Sequence, residues 1–173
     1  MAKGQEQAAP DAVLTRIGQV AMLHHAGDRE EARHRFLGLW EEIGEHGDPL
    51  HRCTLAHYLA DTQDDPADEL AWDLRALSAA EELARGRSAG PHEGTPAARA
   101  LYPSLHLNLA ADYDRLGRRE AARLHLRRAR TAAEALPDDR YGEGVRTAIR
   151  RLESRLGEDP APDGPWGPPR QRP

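Results

Sequence analysis

Cys53, His57 and Asp61 are the residues of this chain whose types and spacing most directly suggest chemistry. Steps of four place all three on one side of a helix. A thiol, an imidazole and a carboxylate there could ligate a metal, arm a nucleophile or hydrogen-bond a bound polar group. Zinc takes four ligands in a tetrahedron, so a metal reading must borrow His24, His25 or His106 from elsewhere. Neither a CxxC nor an HExxH pattern is present to support it. A nucleophilic cysteine needs an oxyanion site, and no glycine-rich segment or helix start is expected beside Cys53. The plainest reading makes Cys53 a small core residue and His57 the partner of Asp61. In the polar-groove reading Asp61 holds the imidazolium of His57 by a charge-assisted hydrogen bond, and binding at this face becomes pH-sensitive.

The elements that must position these residues are helices. Of 173 residues, 39% are hydrophobic with a single Phe, so alanine and leucine carry the apolar content, as in helical proteins. A chain of this length is one domain by prior and buries about two thirds of its surface. The net charge of -5 speaks for solubility and selects no partner. One cysteine excludes an intrachain disulfide and fits a reducing cytoplasm. The first ten residues lack the apolar core of a signal peptide and are expected to be a disordered lead-in. No apolar run is long enough to span a membrane. One lysine, Lys3, against a large excess of arginine is the codon usage of a high-GC bacterial genome.

Helices are expected over residues 11–26 and 28–45, with Gly27 between them and Asp28 and Glu31 as a capping box. Asp48-Pro49 and Asp65-Pro66 are cap-and-proline starts of helices reaching 62 and 85. The second of these should bury Leu70, Ala71, Leu74, Leu77 and Leu83. After a loop over 86–95, Thr95-Pro96 starts a fifth helix that Pro103 should kink or break. A sixth ends near Leu136-Pro137. A seventh, capped by Asp138 or Asp139, carries the stripe Tyr141, Val145, Ala148, Ile149, Leu152 and Leu156. From 157 the chain is rich in proline and glycine and should be an extended tail, with Trp166 its one large apolar residue.

Within residues 106–137, Leu109, Ala110, Tyr113, Gly117, Ala122, Leu126 and Ala129 mark two antiparallel helices whose small residues allow close approach. Leu23, Gly27, Ala32, Phe36 and Leu39 repeat that spacing 90 residues earlier, with Leu for the last small residue. Thr54-Leu55-Ala56 is similar to Asn108-Leu109-Ala110. This order resembles the tetratricopeptide repeat. The middle pair departs from it, with no glycine at its turn. The resemblance implies an all-α fold: a short right-handed solenoid of three antiparallel helix pairs over 11–156, closed by a capping helix. It implies a non-catalytic scaffold that binds a protein or peptide on its concave face, without a cofactor. First helices of such pairs line the groove and grip a partner's carboxylate through asparagine, lysine and arginine. Asn108 and Arg115 stand at compatible positions, His57 aligns with Ala111, Cys53 lies at the floor and His24 at the edge. The alternative is a small-ligand- or metal-responsive regulator acting through the Cys53/His57/Asp61 face.

Arg119, Arg123, Arg127 and Arg130, continued by Arg146, Arg150, Arg151 and Arg155, form a basic excess of the kind phosphate binding uses. Glu120, Glu134, Asp138, Asp139, Glu143 and Glu153 interrupt it, and no aromatics interleave to stack bases, which argues for a solvated face and against nucleic acid. The segment 41–82 is acidic by contrast, so opposite halves could guide homo-oligomerisation.

Overall fold

The computed structural model describes residues 11–85 and 96–157, with side chains from Ala100 onward in the second stretch. The expected lead-in 1–10, the loop 86–95 and the tail from 158 with Trp166 lie outside the described residues. The described residues form seven α-helices and no strand: α1 (Ala12–His25), α2 (Arg29–Ile43), α3 (Pro49–Asp61), α4 (Pro66–Ala84), α5 (Pro96–Arg115), α6 (Arg119–Ala133) and α7 (Arg140–Gly157). The fold is all-α. Each helix packs on its neighbour in the chain, and α1 also touches α3 as α5 touches α7.

Helix starts follow the expected chemistry in part. Asp48 Oδ1 accepts from the amides of Leu50 (2.8 Å) and His51 (3.4 Å), with Pro49 in the first turn. Asp65 accepts from Ala67 N at 2.8 Å, and Asp139 from Gly142 N at 2.8 Å. The Asp28 capping box does not form: the Asp28 side chain makes no cap hydrogen bond, and Glu31 takes Arg35 Nε at 2.8 Å instead. An i,i+4 ion pair competed for the one carboxylate the box required.

Two turns are copies of each other. Gly27 and Gly117 have φ of 97° and 74°, a region open to glycine. At the first, Asp28 N donates to Leu23 O (3.2 Å); at the second, Arg118 N donates to Tyr113 O (2.8 Å). The middle turn has no glycine. Thr62, fully buried, closes it through Oγ1 to Leu59 O at 2.7 Å, while Arg29 and Arg33 of α2 reach the carbonyls of Gln63 and Thr62.

Two expectations need correction. Of the kink or break expected at Pro103, the break does not occur: α5 runs continuously through it. Leu101, Tyr102 and Leu105 around the proline pack into the α3/α4 core, and Tyr102 Oη donates to Ala80 O at 2.8 Å, so the helix is held on both sides. The buried face of α4 is rotated from the expected stripe. Ala71 and Leu74 face solvent, while Asp73, Ala76, Leu77, Ala79, Ala80 and Leu83 face inward. An aspartate thus occupies a core position.

The core consists of three clusters that share helices. Ile17, Val20, Ala32, Phe36, Leu55 and Leu59 join α1, α2 and α3. Cys53, Ala56, Ala76, Ala79, Ala80 and Leu105 join α3, α4 and α5. Ala110, Ala122, Leu126, Ala129, Ile149 and Leu152 join α5, α6 and α7, with Tyr113 packed against them. Leu109 is fully buried, and Leu152 of α7 joins Leu126 and Ala129 of α6 in the last cluster.

Candidate functional site

The odd-numbered helices touch in series through polar side chains. Asp11, the cap of α1, meets His51 of α3 at 2.5 Å. The Asn108 amide of α5 donates to His57 Nδ1 of α3 at 3.1 Å. Arg155 of α7 reaches Asp114 of α5 at 3.1 Å, and the hydroxyls of Ser104 and Tyr141 bond at 2.5 Å. Residues 51–60 and 101–110 have the same burial at every position. The burial pattern of α3 thus recurs in α5 at a separation of 50 residues, while the two helices end 54 residues apart, at Asp61 and Arg115, the separation that Thr54-Leu55-Ala56 implied.

Cys53, His57 and Asp61 do not converge. A four-residue step overshoots one turn by about 40°, so two steps carry a side chain a quarter-turn around the helix. Cys53 is 1% exposed, His57 half-buried and Asp61 in solvent. Burial among alanines pushes the Cys53 thiol up to about 12. It is a core residue, not an accessible groove floor. His57 bonds Asn108, and no hydrogen bond to Asp61 is present among the described residues. His24 stacks edge-on with His25, centroids 5.9 Å apart, and no hydrogen bond or ring contact joins it to α3 or α5. Of the six candidates, only His57 and Asn108 are brought into contact.

Arg115 is committed elsewhere. Its Nη2 donates to Glu69 Oε1 (2.9 Å) and to Asp112 Oδ1 (3.0 Å). Beneath it lies an acidic cluster: Glu69 and Asp73 one turn apart on α4, facing Asp112 on α5. Asp73 is 1% and Asp112 0% exposed. Asp73 Oδ1 and Asp112 Oδ2 are buried with no hydrogen-bond partner. Burial first, then the neighbouring Asp112, push the Asp73 carboxyl far above the carboxylate range. Burial raises Asp112 as well, while Asp73 and Arg115 hold it back. The sequence did carry a signal for this cluster. Asp73 precedes Ala76 and Leu77 by three and four residues, and Asp112 follows Leu109 by three, so both interrupt apolar stripes.

A second titratable pair sits between α5 and α6. His106 Nδ1 and His125 Nδ1 are 3.1 Å apart, in a stack of four rings running Tyr102, His106, His125, Tyr113. Burial, then His125, lowers His106 to about 4, and burial lowers His125.

The arginine-rich half is largely used internally. Arg119 and Arg123 donate to Leu156 O, Arg130 pairs with Glu153, and Arg146 donates to Leu136 O at 2.6 Å. These contacts fasten α6 to α7 and to the turn between them. No helix among the described residues is long and apolar enough to cross a membrane. Comparison with protein-family models, with curated protein sequences and with solved structures returned no match.

Proposed function

We propose that the chain is a non-catalytic, tetratricopeptide-like scaffold that binds a protein or peptide segment along the face of α1, α3 and α5. The observation that carries this reading is recurrence: the α1–α2 and α5–α6 turns share a left-handed glycine and the same hydrogen bonds 90 residues apart. Stacked hairpins of this kind present a continuous face rather than an enclosed reaction site. The serial contacts of α1, α3 and α5 favour the face built from first helices, with His57 and Asn108 at its centre and Asp61 in solvent. The regulator reading through Cys53, His57 and Asp61 has less support, because Cys53 is buried away from the other two.

The test is affinity capture of a partner by three forms of the folded chain: wild type, Asp61→Arg and Glu41→Arg. Both positions are exposed, Asp61 on α3 and Glu41 on α2. Loss of the partner with Asp61→Arg alone, at unchanged melting temperature, is the expected result. Equal retention by all three forms would refute the assigned face. A small molecule retained in native mass spectrometry with no retained protein would favour the regulator.

A further inference from the structure

We propose that Glu69, Asp73 and Asp112 bind a calcium-sized divalent cation that clamps α4 to α5. One ligand oxygen from each residue lies within 4.8 Å of the others. Calcium holds oxygens at about 2.3–2.6 Å, so oxygens sharing one ion stand at most about 4.6–5.2 Å apart. The cluster fits that limit without any movement of the helices. All donors are carboxylate oxygens, the set hard cations prefer over zinc or copper.

Two buried oxygens point to a missing ligand. Asp112 Oδ1 is satisfied by Arg115, but Asp112 Oδ2 and Asp73 Oδ1 have no partner, although both side chains are almost wholly enclosed. Natural interiors rarely leave such acceptors empty. Charge gives the valence. Once an ion displaces the proton of Asp73, three ionised carboxylates against the one guanidinium of Arg115 leave two negative charges, which a divalent ion neutralises. The Glu69 side chain is 17% exposed, and the Arg115 side chain over it is 48% exposed, so an ion has a route in past a movable cation. Glu69 and Asp73 come from α4 and Asp112 from α5, so a bound ion would bridge two helices joined in the chain by residues 86–95.

The experiment titrates the full chain, stripped of metal, with Mn2+ and follows the free-ion signal by electron paramagnetic resonance. The expected result is uptake of one Mn2+ per chain, displaced by Ca2+. Ca2+ should raise the melting temperature, and a chelator should reverse the rise. Asp73→Asn and Asp112→Asn, near-isosteric changes, should each lose uptake and the thermal shift, while Glu41→Gln, exposed on α2, keeps both. Glu69→Gln, at the rim, serves if a buried variant fails to fold, and should weaken uptake at least tenfold. No uptake by the wild type, or uptake unchanged by the variants at Glu69, Asp73 and Asp112, would overturn the site. The carboxyl pair would then be held by a shared proton. Either outcome leaves the peptide-binding reading standing or falling on its own test.

Discussion

Cys53 and Asp61 lie on the same helix, yet one is sealed among alanines and the other stands in water. Their spacing was legible in the sequence. What it could not convey is the phase of the helix against its neighbours, which turns a shared side into a gradient of burial. The Cys53 thiol, pushed up to about 12 and enclosed, should be inert while the protein is folded. Its reaction with a thiol reagent should be slow in buffer and become fast only as denaturant unfolds the chain; rapid labelling of the native protein would place it on the surface after all. His57 and Asn108 make a half-buried hydrogen bond across α3 and α5. Bonds of this kind contribute about 0.5–1.5 kcal/mol net. Chemical denaturation of His57→Ala, Asn108→Ala and the double variant should return a coupling energy in that range. A coupling near zero would mean the bond does not persist in solution.

At the scale of elements, most helices and their starts could be read directly, because Asp-Pro caps and glycine stops act locally. The errors arose where a distant contact decided the outcome. Pro103 is tolerated because α3 and α4 grip the helix around it, and the buried face of α4 departs from its apolar stripe because Asp73 takes a core position that its residue type does not announce. For the same reason the acidic cluster escaped notice: its members are separated along the chain and meet only when α4 packs on α5. The α5–α6 contact predicts a pH dependence. His106, lowered to about 4 from an ordinary 6.5, stays neutral in the folded protein while the unfolded chain takes up a proton. The unfolded state therefore binds more protons at this site between about pH 4 and 6.5, and the stability that His106 contributes falls as pH drops through that window, against the opposite contribution of Asp73 and Asp112, whose raised carboxyls bind protons in the folded protein. At about 1.36 kcal/mol per unit of displacement, the loss from this group is on the order of 3 kcal/mol. As pH falls through this range the wild type should lose stability relative to His106→Gln; a constant difference between the two would show that the imidazole is not the cause. Packing of α6 on α7 is tested by Leu126, 5% exposed in the last cluster. Leu126→Ala should cost about 2–5 kcal/mol by equilibrium unfolding.

For the whole molecule, the arrangement of the core matters more than its size. The three apolar clusters are linked in series: α3 belongs to the first and second, with Trp40 and Trp72 packed against both, and α5 to the second and third. Helices distant in sequence make few direct contacts, so α1 influences α7 only by way of α3 and α5. In such a chain of units, stability is close to a sum of local terms and nearest-neighbour interfaces, and an injury stays near its origin. Ile17 is 1% exposed and anchors α1 in the first cluster, where truncation to alanine should cost about 2–5 kcal/mol. Native-state hydrogen exchange on Ile17→Ala should then show protection lost in α1 and α2, reduced in α3, and kept in α6 and α7. The reciprocal change, Leu152→Ala in the last cluster, should spare α1 and α2. A protein with one indivisible core would behave otherwise, losing protection evenly along all seven described helices in both variants, and that pattern would rule out the linked-cluster description together with the proposed repeat architecture.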